Sequence, residues 1–323
     1  MDIFKNPNYD FVRWRWHALA LSLVVVLAGA GLMVTRGGPQ LGVEFAGGTV
    51  VILKFDRQTD VGQVRQALRG IPGGAGDNAI VQHYGDPAQN RIMVRVAAVG
   101  AESGGALSEA ARAVETAVTQ ANIGSFIVDG TEIVGPIVGD QLKRQGTMAT
   151  VLALAGILLY IALRFQLSFA VGAVVATIHD LLVTLAFLTF FEYDITLNVI
   201  AAILTITGYS VNDTIVVFDR VRENMRAMRR DNLERIVNVA VNQTLARTII
   251  TAGTTLIAVL ALFLFGGEVL RGMAFTLIVG IVSGTYSTVF IAAAIAILWQ
   301  RGRPLKGQPA TAATAKPGRR RAS

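Results

Sequence analysis

Six apolar runs, each long enough to cross a bilayer, constrain this chain more than anything else in it. They cover approximately His17–Val34, Thr147–Leu163, Ser168–Phe190, Leu197–Phe218, Asn242–Phe265 and Met273–Leu298. A span takes about 20 residues, fewer or more with tilt. Only 16% of the 323 residues are charged and the mean hydropathy is +0.52, whereas soluble domains carry about 25% charged residues. The first run follows Arg13 and Arg15, as in a signal peptide. Its apolar stretch is longer than such a segment needs and no A-x-A site follows, so it reads as a retained anchor. The absence of cysteine excludes disulfides and thiolate metal sites without deciding the redox compartment.

Lysine and arginine set the orientation. With a cytoplasmic N-terminus, the inner segments are the N-tail, the link at Arg164, the loop Asp219–Val241 and the tail after Leu298. They hold 17 basic residues, whereas the two short outer links hold only Arg271. That is the positive-inside asymmetry. It gives Arg220, Arg222, Arg226, Arg229 and Arg230 a use as topology determinants and lipid-headgroup contacts, in preference to the nucleic-acid binding that a net charge of +7 could suggest. The basic, low-complexity residues 301–323 read as a disordered cytoplasmic tail.

Residues 36–146 form the one long outer segment, with 10 basic and 11 acidic residues, so it is expected to be globular. Its pattern reads in order as a strand (Thr49–Phe55), a helix from Val61 capped by Asp60, and a loop at PGGAGDN. Strands at AIVQHY and RIMVRVA follow, then a helix over Ser108–Gln120 and a strand at FIVDGTEIV. The order β-α-β-β-α-β predicts a ferredoxin-like unit. The expected architecture is therefore an N-tail and first span (1–35), the outer α+β domain (36–146), five further spans (147–300) and the tail. His83 stands alone, and the glycines near Gly73 lack the GK[ST] of a phosphate loop.

The fourth run carries Asp213 inside its cytoplasmic end. A carboxylate there costs roughly 3 kcal/mol on insertion scales and marks a functional-site hypothesis. At about 100° per residue, Asn198, Thr205, Tyr209, Asn212 and Asp213 share one sector. An interhelical hydrogen-bond seam would explain the Thr and Asn; it does not require a group that ionises. His179 and Asp180 lie mid-span in the third run, but adjacent residues point about 100° apart and need not share partners. Gly272, Thr276, Gly280, Gly284 and Thr288 recur every four residues in the last run. This small-residue ridge serves either packing inside the bundle or docking on another subunit.

Several motifs together resemble one family. GYSVNDTIVVFDRVREN (208–224) is similar to the signature of SecF proteins of the bacterial Sec export machinery. GVEFAGGT (42–49) resembles the family's segment after its first span, with Glu44 where the family usually has Asp. EIVGPIVGDQL (132–142), IHD (178–180) and QTLARTIITAGTT (243–255) match three more motifs. The resemblance runs from Arg13 to about Leu298. It implies an RND-like six-helix bundle with one outer ferredoxin-like domain, in the cytoplasmic membrane. It implies SecD and SecYEG as partners, with YajC as an optional one, and an unfolded polypeptide as cargo. It also implies coupling of late translocation to the proton-motive force, with no cofactor, no metal and no covalent catalysis. By position Asp213 matches the family's proton-relay Asp and Arg247 its functional Arg. Asn212, Tyr209, Thr214, His179 and Asp180 would be a supporting relay or polar seam, and Gly272, Gly280 and Gly284 a packing or partner interface.

Depth supports the pairing independently. Asp213 lies five residues before the fourth run ends and Arg247 five after the fifth begins, which puts both roughly 8 Å inside one boundary at about 1.5 Å per residue. Snorkelling to headgroups would account for Arg247 but not for Asp213. Two other functions fit less well. A small-molecule or lipid exporter would need a larger outer substrate pocket and usually a fused double bundle. A scaffold subunit for SecD would not need a buried Asp.

Overall fold

The computed structural model describes residues 7–71, 76, 79–96 and 104–300. The expected loop at PGGAGDN and the expected disordered tail fall largely or wholly outside these residues.

The chain enters through α1 (Arg15–Thr35) and a short helix, α2 (Val43–Ala46). The outer domain then follows as β1 (Gly48–Phe55), α3 (Val61–Leu68), β2 (Ile80–His83), β3 (Arg91–Val96), α4 (Gly104–Gln120) and β4 (Phe126–Val134). The four strands make one antiparallel sheet in the order β2-β3-β1-β4, with Val51 opposite Val94 on one side and Thr131 on the other. Strand alternation sends Val51, Leu53, Phe55, Ile92, Val94 and Val96 to one face, where Val64 and Leu68 of α3 and Val114 and Val118 of α4 cover them. β1 is buried on its other face too, through Val50, which packs with Val43 and Met93. The expected Asp60 side-chain cap is not formed; the Asp60 carbonyl accepts the Gln63 and Val64 N–H groups instead. The second domain helix begins at Gly104 rather than Ser108.

The membrane part consists of α5 (Pro136–Arg164), α6 (Leu167–Phe190), α7 (Leu197–Ala227), α8 (Leu233–Phe265), α9 (Glu268–Ser287), a π-helical turn (Thr288–Ala292) and α10 (Ala293–Gln300). With α1 they supply six helices long and apolar enough to cross a membrane. α6, α7 and α9–α10 form the buried centre; α1, α5 and α8 keep most of their surface exposed. Small residues set the spacing. A Cβ at Gly29 would sit 2.1 Å from the Ala186 Cβ, so α1 lies directly on α6. The ridge of α9 faces α7 of its own bundle: a Cβ at Gly280 would come within 2.2 Å of Ile206, one at Gly284 within 2.9 Å of Ser210, and one at Gly272 within 3.5 Å of Val199. Of the two uses expected for this ridge, the one seen at Gly280 and Gly284 is packing inside the bundle; Gly272 makes only ordinary contact with Val199 and lies on a cavity wall.

At the end of the bundle away from the sheet, the residues just before α1 are held against α8. Asn238 Oδ1 accepts the Phe11 N–H at 2.9 Å, Asn242 Oδ1 accepts the Tyr9 N–H at 2.8 Å, and both amide groups donate back to the Tyr9 carbonyl.

Candidate functional site in the membrane bundle

Two carboxylates lie inside the bundle. Asp213, on α7, accepts one hydrogen bond to Oδ1, from the Thr248 hydroxyl of α8 at 2.8 Å. Its Oδ2 is buried and, among the described residues, has no hydrogen-bond partner. Arg247 precedes Thr248 on α8, so one turn of α8 brings both residues to the same level of α7. Arg247 is near enough for its charge to act on Asp213, but among the described residues no ion pair joins them.

The polar stripe on α7 divides in three dimensions. Thr205 and Asn212 are exposed on the side of the bundle. Tyr209 packs with Val259, Ala274 and Ile281 between α8 and α9. Thr214 turns the other way and shares a 2.9 Å hydrogen bond with Thr288, at the start of the π turn. Thr214 therefore does not touch Asp213; it ties α7 to the irregular part of the last span.

Asp180, on α6, is only 2% exposed. Its Oδ2 accepts the hydroxyls of Ser210 (2.6 Å) and Ser287 (2.7 Å), and its Oδ1 accepts that of Ser283 (2.8 Å). His179 Nδ1 lies 3.1 Å from the same Oδ1. The two neighbours thus contact each other directly, although their side chains leave α6 about 100° apart. Its Nε2 is buried without a partner, and its ring lies beside Tyr286, which donates to the Ala18 carbonyl of α1 at 2.7 Å. Three hydroxyl donors and one ring nitrogen surround the two oxygens of this carboxyl group. Asp180 thus binds α6, α7 and α9 into one unit.

The sequence reading missed Ser210, Ser283, Ser287, Thr248 and Thr288. A signal existed for the serines of α9. Ser283 and Ser287 are four residues apart, one position before Gly284 and Thr288 of the small-residue ridge, so they lie along the same side of α9.

A further set of groups lies at the end of the bundle next to the sheet. A cavity of about 570 Å³ separates the second face of the sheet from the outer ends of the bundle, with Glu44, Arg95, Glu132, Asp194, Asn198 and Arg271 on its walls. Arg95 pairs with Asp194 and donates to the Leu41 carbonyl at 2.8 Å. Burial pushes the Asp194 carboxyl above its ordinary range, against the pull of Arg95. Burial also raises Glu44; the Leu197 N–H opposes this, and Glu132 and Asp194 add to it. Among the described residues no three His, Asp or Glu side chains are grouped to hold a metal ion.

The chain as a whole is similar to known proteins. Residues 113–302 match the family of protein export membrane proteins SecD/SecF, C-terminal, and residues 31–59 match the SecD/SecF GG motif. The protein translocase subunit SecF of Koribacter versatilis is 36% identical over 96% of this chain and 96% of its own. That of Pseudomonas aeruginosa is 40% identical over 91% of this chain and 92% of its own. The crystal structure of SecDF from Thermus thermophilus, a translocon-associated membrane protein, superposes with a TM-score of 0.79 at 32% identity, over 92% of this chain. The match spans 39% of that longer chain.

Proposed function

The chain belongs to the SecD/SecF family of protein-export membrane proteins, and from that premise we propose that Asp213 and Arg247 are its proton-coupling pair. The chain is a multi-pass membrane subunit with a role in Sec protein export and with a SecD partner. In our reading it promotes late translocation of unfolded polypeptide through SecYEG, and YajC is a further partner. The outer four-stranded domain is read as ferredoxin-like from its strand order, on the periplasmic side, with both termini in the cytoplasm as the arginine distribution requires. The domain divisions at 35/36, 146/147 and 300/301 follow from that reading.

The observation that carries the proposal is the bare, buried Oδ2 of Asp213. A buried polar atom without a partner is costly, and taking a proton relieves that cost. With Arg247 near, the anion is favoured; with Arg247 withdrawn, burial favours the neutral acid. Alternation between the two states moves α8 relative to α7 and converts proton passage into helix rearrangement. A charge crossing the full membrane field gains about 2.3 kcal/mol per 100 mV, enough to bias a two-state element more than tenfold. The exposed side of α7 bearing Thr205 and Asn212 suits contact with the SecD bundle. Asp180, already saturated, is the fixed anchor of the bundle rather than a relay member, and His179 is held by it.

The test is export into inverted membrane vesicles with ATP, with and without an imposed proton gradient. Asp213→Asn vesicles should keep the ATP-driven component and lose the gradient-driven one. Undiminished gradient stimulation would remove Asp213 from the relay. A scaffold role for SecD would be supported by that same result, and an exporter by substrate-stimulated efflux from vesicles.

A further inference from the structure

The short segment between α1 and β1 is held against the bundle by contacts of two kinds. The first kind ends on the loop before α7. The Gly42 N–H donates to the Ile195 carbonyl at 2.8 Å, and the Ile195 N–H donates to the Gln40 carbonyl at 2.7 Å. Leu41 and Ile195 form a parallel bridge, and Arg95 of β3 joins the same place by donating to the Leu41 carbonyl and pairing with Asp194. The second kind reaches α7 itself. Oε2 of Glu44 accepts the N–H of Leu197, the first residue of α7, at 2.8 Å. That N–H is one of the four that a helix leaves without an internal partner, and it sits at the positive end of the helix dipole. Thr196 fills the usual cap role toward Val199, so Glu44 is an additional grip supplied from another part of the chain.

The segment is stiff on the side that leads to the sheet. Gly47 and Gly48 have φ of 67° and 120°, and a Cβ at Gly139 of α5 would lie 3.2 Å from the Gly47 nitrogen. The pair of glycines thus turns the chain tightly around the start of α5 and into β1, only four residues after Glu44. Near the middle of α7, 16 residues on and about 24 Å away at 1.5 Å per residue, sits Asp213.

We propose that Glu44 is a positioning residue for the coupling helix: it ties the outer end of α7 to β1, so that movement of α7 is passed to the outer domain. The inference rests on the proton-coupling reading of Asp213 and adds to it the place where that motion leaves the membrane. It also gives the GG segment a mechanical task, a rigid elbow rather than a flexible linker.

The chain has no cysteine, so two introduced ones can be spin-labelled alone. Gln89→Cys reports the outer domain and Phe265→Cys the outer end of the bundle; both positions are exposed. The distance between them is measured in the complex with SecD in lipid vesicles, with and without a proton gradient, alongside export. In the parent the gradient should shift the distance. In Glu44→Ala the shift and the export stimulation should fall about fivefold, the ratio given by a coupling free energy at the low end of the allosteric range. Glu44→Gln keeps an oxygen that can accept the Leu197 N–H and should restore both. An Asp213→Asn chain should show no shift.

An undiminished shift in Glu44→Ala would overturn the proposal and leave the relay intact, as would a parent that is stimulated without any shift. A full shift in Asp213→Asn would instead overturn the relay, and the proposal with it. A second variant covers loss of folding in Glu44→Ala: Leu41→Cys with Ile195→Cys, unlabelled, closes the bridge as a disulfide. A rigid elbow predicts unchanged gradient stimulation after oxidation; stimulation lost on oxidation and regained on reduction would overturn it.

Discussion

Asp180 and Asp213 are the same side chain in the same membrane, about one helix apart, and they are treated in opposite ways. Asp180 receives three hydroxyl donors and a histidine nitrogen; Asp213 receives one hydroxyl and keeps one oxygen bare. A carboxylate with its acceptor positions filled holds its surroundings in one arrangement. One with a bare oxygen leaves part of its burial cost uncompensated, which is what the proposed coupling role asks of Asp213. The difference teaches that the cost of burying a polar group can be offset in full, which makes a joint, or left partly open, which suits a switch.

Substitutions can break this contrast, and their expected effects on folding stability descend in order. Asp180→Ala leaves three hydroxyls and an imidazole without their common acceptor and should destabilise the bundle by about 3–5 kcal/mol. The measurement is the thermal unfolding midpoint of the purified protein in detergent. A variant as stable as the parent would remove Asp180 as an anchor. Gly280→Ala places a methyl group in the space of Ile206 and should cost about 1–3 kcal/mol as overpacking, by the same measurement. Binding to SecD should be unchanged, since the ridge faces inward; selective loss of the partner would reopen that assignment. Ser283→Ala removes one of four donors to Asp180 and should cost about 1–2 kcal/mol. A similar loss from Thr248→Ala would make the two carboxylates alike.

Asp213→Asn should shift stability by less than about 0.5 kcal/mol, because the amide is nearly isosteric and only one hydrogen bond is at stake. It should nonetheless abolish gradient-driven export. Arg247→Met should have the same phenotype, and the double variant should be little worse than either, since residues that act as a unit are non-additive.

The smallest effect belongs to the outer carboxylates. Glu44 and Asp194 hold their protons more tightly in the folded chain than in the unfolded one. Stability should therefore rise as pH falls toward their ordinary values of 4.5 and 3.8, and be lost as pH rises through the raised folded values. Thermal unfolding across this range, repeated with Glu132→Gln, checks it. Removing the Glu132 charge should shrink the pH dependence through Glu44, and an unaltered profile would discount their interaction.

Hydropathy, charge asymmetry and motif order in the amino-acid sequence by themselves determined the six spans, the strand and helix order of the outer domain, and the level shared by Asp213 and Arg247. These are properties of period and length, which a helix at 1.5 Å per residue or an alternating strand converts directly into position. Tertiary structure decided which atoms meet. Ser210, Ser283 and Ser287 come from helices 30 to 107 residues from Asp180 in sequence, and no local pattern states that three hydroxyls converge. The ridge of α9 could face inward or outward until Ile206 and Ser210 were found against it. Glu44 looked like a minor variation in a motif until Leu197, 153 residues away, was found to need an acceptor. Hydrogen bonds reach only about 3 Å, so pairing across such separations is settled by how the helices pack.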